Sequence, residues 1–215
     1  MEMAGYVDML SWKRREHFQM FTRMDDPFFN ICAPLDISAF YKYIKEKEEP
    51  FFNAFLYLAV KAANQIDEFR YRIRKDGVYL HDEVHPSYTV MGADDMFCFC
   101  YADFSQDYLQ FKFDVKHATE KAKFKGGLEE DTSRDDYLYI TCIPWISFTS
   151  ISHPISMSKT DSVPRISWGK YEEREGKRWI PLSVSLHHGL ADGFHAGRYF
   201  QLLQEYLDHP WNHIL

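Results

Sequence analysis

Apolar residues recur along this chain at the spacing of helices in some segments and of strands in others. Spacings of three and four residues predict helices over residues 38–48, 53–65, 103–125 and 194–208. Ser38 and Asn53 stand where the N-caps of the first two helices are expected. The charged residues 13–17 indicate a further short helix, and the aromatic-rich residues 18–29 are expected to be extended.

Strands are predicted where apolar residues alternate with polar ones or form short continuous runs. These segments are residues 31–37, 70–74, 78–80, 88–91, 97–101, 137–142, 165–171 and 178–186. Asp76-Gly77 predicts a tight hairpin turn, and residues 92–95 a second one. Helices mixed with hairpins predict an α/β protein: a two-layer sandwich of a mixed, largely antiparallel sheet with helices packed on it.

Length and charge narrow the class of protein. A chain of 215 residues with 46% hydrophobic residues predicts one packed domain, residues 1–215. The net charge of −7 argues against nucleic acid or an anionic membrane surface as a partner. No segment has the roughly 18 apolar residues of a membrane span, and residues 1–12 lack the apolar run of a signal peptide. A cytoplasmic location is therefore expected.

The four cysteines do not have the spacing of a disulfide framework or of a zinc site. Cys98 and Cys100 alternate on a predicted strand, so both thiols are expected on one face of the sheet. A zinc site would need a second cysteine pair or histidines at ligand spacing. Apolar packing of reduced thiols, with no bound metal, is the prediction.

The segment His187-His188-Gly189-Leu190-Ala191-Asp192-Gly193 joins the last predicted strand to the last helix. Small residues let the backbone turn tightly there, so an imidazole at the strand end can face a cleft. Histidine is the side chain whose ordinary pKa lies nearest to neutral pH, which suits it to accept and return a proton. On spacing alone, two ordinary structural histidines explain the motif better than a catalytic one.

Other chemistries fit this segment less well. Consecutive strand residues point to opposite faces, so His187 and His188 are badly placed to share a metal ion. A serine hydrolase of the common α/β type would need a Gly-x-Ser-x-Gly turn, and the sequence contains none.

The string His187-His188-x-x-x-Asp192-Gly193 resembles the active-site signature of the type A chloramphenicol acetyltransferases. That element alone also occurs in dihydrolipoyl acyltransferases and in peptide-synthetase condensation domains. Further collinear segments resemble the chloramphenicol enzymes, and together they extend from about residue 6 to residue 207. They are residues 12–18, Asp36-Ile37, Asp67-Glu68-Phe69-Arg70, Val84-His85-Pro86, Tyr88-Thr89-Val90, residues 143–148 and Gly169-Lys170-Tyr171.

The resemblance implies the CoA-dependent acyltransferase fold and a direct acetyl transfer from acetyl-CoA to a hydroxyl acceptor. His188 matches the general base, and His187 its non-catalytic neighbour. Asp192 matches a carboxylate that Arg14 holds in a buried pair. Thr141 matches a serine whose hydroxyl stabilises the oxyanion of the tetrahedral intermediate.

Ser167 matches a threonine that binds a water near the same oxyanion. The resemblance also implies residues for the two ligands. Trp145 and Lys170 match residues of the coenzyme A channel, whereas Pro50 and Phe52 replace a lysine and a tyrosine that help to hold coenzyme A.

Five residues match the acceptor pocket, three of them with a change from the family's usual side chain. Thr89 and Phe97 match pocket positions, Phe21 stands in place of a tyrosine, Ile151 of a phenylalanine and His153 of a leucine. The acceptor pocket is therefore expected to differ from that of the family, with chloramphenicol as the first acceptor to consider.

The family forms trimers with active sites at subunit boundaries, so a homotrimer is expected. Two further interpretations stay open. The chain is a transferase for another hydroxyl acceptor or a carrier-bound group, or it is a binding protein with weak turnover. The length of 215 residues argues against the carrier-dependent enzymes, which have additional modules.

Overall fold

The helices and strands lie largely where apolar residues recur at helical and at strand spacing. The computed structural model describes residues 4–92, 95–155, 158 and 160–214. Within these ranges the α-helices are α1 (Arg15–Phe21), α2 (Ser38–Glu46), α3 (Phe51–Asn64), α4 (Asp67–Arg70), α5 (Tyr108–Lys125) and α6 (Gly193–Asp208). The strands are β1 (Gly5–Tyr6), β2 (Phe28–Asp36), β3 (Tyr71–Arg74), β4 (Gly77–Leu80), β5 (His85–Met91), β6 (Phe97–Tyr101), β7 (Tyr137–Ile143), β8 (Arg165–Gly169), β9 (Glu172–Arg174) and β10 (Lys177–His187).

The strand β10 organises the main sheet because it pairs with three other strands. The strand order is β2-β10-β8-β7-β5-β6, and β9 pairs with one end of β10. The pairs β7–β8 and β5–β7 are parallel, whereas the other pairs of this sheet are antiparallel. A separate antiparallel sheet has the order β1-β4-β3. The predicted mixed, largely antiparallel sheet is confirmed.

Alternation along β10 separates a helix-covered face from a polar face. Leu182, Val184 and Leu186 are buried in the main hydrophobic core together with residues of α2, α3, α5 and α6. Ser183 and Ser185 alternate with them and therefore point to the other face. The predicted two-layer sandwich is thus confirmed, and polar side chains lie on the face that no helix covers.

The helix α3 lies at the centre of the core and is buried on all sides. Every residue from Ala54 to Val60 has no exposed surface. The sequence predicted a helix with one buried face, which is wrong because α2, α5 and α6 all pack against α3. A helix that is apolar all round needs such a central position.

Several helix starts differ from the prediction because other groups provide the caps. Pro50, not Asn53, precedes the first turn of α3. Ser38 is the first residue of α2, and its N–H and hydroxyl both donate to Asp36 Oδ1. The helix α5 begins only at Tyr108, since Asp107 Oδ1 accepts from two backbone N–H groups of the first turn.

The N-terminal aromatic segment is also partly helical. The prediction of an extended run over residues 18–29 is wrong for its first part, because α1 continues to Phe21. The hairpin of β3 and β4 is confirmed, although its turn residues are Lys75 and Asp76, because Gly77 already pairs with Arg74 as the first residue of β4. The strands β5 and β6 form the second hairpin. Residues 93 and 94 of that second turn lie outside the described residues. In the described part of the chain, no helix is long and apolar enough to span a bilayer.

The buried side chain of Asn64 ties the end of α3 to the segment before β5. Its Nδ2 donates to the carbonyls of Val60 and Val84, at 3.2 and 2.9 Å, and Val84 N–H donates to its Oδ1 at 2.8 Å. We expect Asn64→Ala to lower the free energy of unfolding by about 2–3 kcal/mol, since it leaves buried backbone groups without partners. Urea denaturation measures this. The exposed Asn212→Ala is the control, and an equally small change in both variants would contradict the expectation.

Candidate active site

The corner between β10 and α6 is held by its own backbone and by the cap of α6. The N–H groups of Leu190 and Ala191 donate to the carbonyl of His187, at 2.9 and 3.1 Å. Asp192 caps the helix, since its Oδ1 accepts from Phe194 N–H at 3.0 Å. The chain therefore turns tightly directly after the two histidines.

Arg14 fastens this corner to the start of α1. Its Nη1 lies 2.7 Å from Asp192 Oδ2, and its Nη2 donates to the carbonyl of His188 at 3.2 Å. Burial favours a higher pKa for Asp192, but the hydrogen bond and charge of Arg14, the nearby His195 and the Phe194 N–H together outweigh it, so the pKa of this carboxyl is lowered. The pair that the resemblance implied is present, and it also holds the backbone of His188.

The polar contacts continue to Glu68, a residue to which the sequence assigned no role. His195 Nε2 lies 3.1 Å from Glu68 Oε1, and Asp192 N–H donates to His195 Nδ1 at 3.2 Å. Burial favours a higher pKa for Glu68, yet the contact with His195, a backbone hydrogen bond and the charge of Arg14 together leave this pKa lowered. Glu68 belongs to a segment that resembles the family, which was the only signal in the sequence. Its position beside α6 follows from the fold alone.

The two adjacent histidines differ in which ring nitrogen carries the proton. Gly189 N–H donates to His187 Nδ1 at 3.1 Å, so the proton of neutral His187 is on Nε2. His188 Nδ1 lies 3.1 Å from the carbonyl oxygen of Ala191, which only accepts, so this nitrogen carries the proton. His188 therefore has a lone pair on Nε2, the nitrogen at the outer end of the ring.

Aromatic rings fix the plane of the His188 imidazole. Phe21 stacks on it with ring centroids 3.9 Å apart, and Phe29 contacts it at 4.8 Å. His188 stays partly exposed, whereas His187 is 3% exposed. Burial lowers the pKa of His187 to about 4, so it remains neutral at physiological pH. Of the two, His188 has the accessible basic nitrogen.

Thr141 lies on the helix-free face of the sheet, at a cavity of about 340 Å³. Thr89, Phe97 and His153 line the same cavity, so four of the residues predicted for the site come together here. Aromatic rings and polar groups share its wall. The remaining lining residues are Ser87, Tyr88, Phe99, Tyr101, Glu130, Tyr139, Ile140, Pro154 and Arg165.

Ser167 is buried beside Thr141, its partner on the neighbouring strand. His153 Nε2 lies 2.7 Å from the Ser167 hydroxyl, which ties the segment after β7 to the sheet. Burial, followed by the positive charge of Arg165, lowers the pKa of His153. Ile151 lies in the same segment, where its carbonyl accepts from Asn30 Nδ2 at 3.1 Å.

A second cavity, of about 560 Å³, opens between α5 and the start of α3. Pro50, Phe52 and Trp145 line it, and Thr89 lines both cavities. Lys170 is exposed at the end of β8 and is not among the residues that line this second cavity. The shared Thr89 makes the two cavities neighbours on the sheet.

His188 and Thr141 do not meet within one chain. Phe28 contacts His187, whereas Phe29 contacts His188, and consecutive residues of β2 point to opposite faces. His187 lies on the face that carries Thr141, and His188 lies on the opposite side of the sheet edge. His188 is likewise absent from the described lining of the Thr141 cavity. Within the described ranges, no three or more His, Cys, Asp or Glu side chains are grouped to hold a metal ion.

The fold is the CoA-dependent acyltransferase fold. A solved dihydrolipoamide acetyltransferase of Azotobacter vinelandii is similar to this chain with a TM-score of 0.70 and 17% identity, over 100% of this chain and 93% of that one. A solved chloramphenicol acetyltransferase is similar with a TM-score of 0.83 and 24% identity, over 95% of this chain and 100% of that one.

The sequence comparisons define the family. The family model of chloramphenicol acetyltransferase matches residues 3–204. A chloramphenicol acetyltransferase of Klebsiella sp. is 31% identical over 96% of each chain. Chloramphenicol acetyltransferase 3 of Escherichia coli is 30% identical over 92% of this chain and 94% of its own length. The chain belongs to the chloramphenicol acetyltransferase family.

The lowered pKa of Asp192 predicts a contribution to acid stability. A carboxyl whose pKa is lower in the folded than in the unfolded state stabilises the fold above its ordinary pKa of about 4. This contribution is lost as the pH falls through the folded-state value. We therefore expect Asp192→Asn to be less stable than the wild type at pH 6, with the difference shrinking toward pH 3.

Urea denaturation at several pH values between 6 and 3 tests this expectation. The matched control is Asp76→Asn, which changes an exposed carboxylate in the turn between β3 and β4. A stability difference for Asp192→Asn that stayed constant over the whole pH range would rule out the ionic contribution.

Proposed function

We propose that this chain is an acetyl-CoA-dependent O-acetyltransferase in which His188 is the general base and chloramphenicol is an acceptor. The observation that carries the proposal is the hydrogen bond from His188 Nδ1–H to Ala191, which leaves the lone pair on Nε2. A general base needs a positioned and accessible nitrogen with a free lone pair, and the His188 imidazole offers one.

In the proposed reaction, His188 Nε2 accepts the proton of the acceptor hydroxyl as its oxygen attacks the acetyl thioester carbon. A tetrahedral intermediate forms, and the Thr141 hydroxyl donates to its oxyanion. The carbon–sulfur bond then breaks, the new ester is released, and His188 returns the proton to the sulfur of coenzyme A. Donors that face the developing oxyanion lower the barrier, and one of them accounts for about 10²-fold in rate or more.

The two cavities supply places for the two substrates. We assign the acceptor to the Thr141 cavity, whose aromatic and polar walls suit a small aromatic alcohol. Acetyl-CoA is assigned to the larger cavity beside Trp145. Since Thr89 lines both, the thioester can reach the acceptor where the cavities adjoin.

The separation of His188 from Thr141 supports a homotrimer with active sites at the subunit boundaries. In this arrangement, His188 of one protomer faces the Thr141 cavity of its neighbour. A closed ring of three copies forms three equivalent sites. Arg14 and Asp192 then act as positioning residues, since they hold the corner that presents the base.

The described cysteines are free thiols, which supports the cytoplasm as the site of the reaction.

We expect His188→Gln to lower kcat by about 10³-fold, because the proton of the acceptor is no longer removed in the transition state. Release of free coenzyme A from acetyl-CoA and chloramphenicol is the measurement, with a thiol reagent. His187→Gln, with its buried ring on the other face, should lose stability yet keep kcat within about tenfold. Exposed His117→Gln is the control for the histidine content.

Full turnover in His188→Gln would refute the assignment of the base. If wild-type protein were inactive toward chloramphenicol but acetylated other alcohols, only the acceptor would change. If none of the tested alcohols led to release of coenzyme A, the transferase proposal itself would be refuted.

A mixing experiment tests the shared site. His188→Ala and Thr141→Ala chains are each expected to be nearly inactive. After the two variants are unfolded and refolded together in equal amounts, about one quarter of the boundary sites should contain both native residues, because each site draws one residue from each neighbour. Activity restored to about a quarter of wild type is the expected result. If the mixture were no more active than the separate variants, the site would lie within one chain.

A further inference from the structure

One face of α5 carries lysines that border the larger cavity. Lys112, Lys116 and Lys123 line it together with Glu120. Residues four, eight and eleven positions apart lie on the same side of an α-helix, so these side chains form one stripe. Lys121 and Lys125 of the same helix line a different cavity. The stripe is thus a feature of the larger cavity alone.

Two of these lysines have no ion-pair partner among the described residues. Lys112 Nζ lies 2.6 Å from Glu49 Oε2 in an ion pair. Lys116 and Lys123 are exposed and have no ion pair with any described residue. Glu120 offsets one positive charge, so the mouth of the cavity stays positive on a chain whose net charge is −7. An anionic ligand group is attracted to such a site.

The start of α3 adds to the positive potential. This helix of 14 residues begins at the same cavity, where Phe52 and Asn53 of its first turn line the wall. The N–H groups of a first turn have no partner within the helix, and the helix dipole is positive at this end. The helix and the lysines therefore favour the same sign of ligand charge.

Another wall of the cavity has the opposite character. Val90, Pro144 and Trp145 form an apolar wall that continues to Thr89, at the border of the Thr141 cavity. A ligand that fits has a thin, weakly polar arm toward Thr89 and an anionic end at α5. Coenzyme A has this form, with a pantetheine arm and three phosphate groups on its nucleotide end.

We propose that Lys116 and Lys123 bind the phosphate groups at the nucleotide end of acetyl-CoA. The inference rests on the proposed function, which makes acetyl-CoA the occupant of this cavity. It places the phosphate contact on a helix that the sequence did not connect with the ligand. The two lysines are binding residues and take no part in proton transfer.

The test compares two acetyl donors that share the thioester arm. Acetyl-pantetheine lacks the nucleotide and its phosphates, whereas acetyl-CoA has both. The double variant Lys116→Gln, Lys123→Gln should raise KM for acetyl-CoA about tenfold, as expected for lost charge-assisted hydrogen bonds at an exposed site. The KM for acetyl-pantetheine and kcat with either donor should stay at their wild-type values.

Two single variants on the same helix are the controls. Lys121→Gln removes one positive charge of the same helix outside the cavity and should leave KM for acetyl-CoA unchanged. Glu120→Gln should lower that KM, because it removes the only acidic side chain among the lining residues described. Raising the salt concentration should weaken the binding of acetyl-CoA more than the binding of acetyl-pantetheine. This difference between the two donors should be smaller in the double variant.

Titration calorimetry with coenzyme A and with pantetheine gives an answer that does not depend on turnover. Wild-type protein is expected to bind coenzyme A more tightly than pantetheine, and the double variant is expected to lose that preference. An unchanged preference in the double variant overturns the lysine proposal while the transferase proposal stands. If the wild-type protein transferred no acetyl group but still preferred coenzyme A in a lysine-dependent way, only the catalytic assignment would be refuted.

Discussion

The ion pair of Arg14 with Asp192 is the contact on which the geometry of the site depends. Arg14 holds the N-cap of α6 through Asp192 and the backbone of His188 through its carbonyl. One guanidinium thus fixes the start of α1, the corner and the last helix relative to each other. Breaking a buried or half-buried pair leaves a charge without a partner, which makes this corner intolerant of change.

Two hydrogen bonds place the ring proton on different nitrogens of the adjacent histidines. His187 accepts from Gly189 and is buried, whereas His188 donates to Ala191 and keeps a lone pair on its outer nitrogen. Because they lie on opposite sides of the sheet edge, only one of them is available to an incoming alcohol. The same separation places the base away from the Thr141 cavity of its own chain, which gives oligomerisation a chemical role under the proposed mechanism.

The elements with clear apolar periodicity were predictable, and their ends and environments were not. The helix α6 and the hairpin of β3 and β4 form where the pattern indicated, since each is a local structure. The complete burial of α3 was missed because it depends on three other helices packing around it. The start of α5 was placed too early because Asp107, four residues beyond the predicted start, supplies the cap.

By itself, the sequence determined the fold class, the family and the pairing of Arg14 with Asp192, because these follow from periodicity and from motifs preserved over nearly the whole chain. Only the tertiary structure decided which imidazole nitrogen is basic, which face each histidine occupies, and that His195 links Asp192 to Glu68. It also brought the lysines of α5 and the start of α3 to one cavity. These features arise from contacts between distant segments, and a linear pattern carries no information about which of its polar residues will meet.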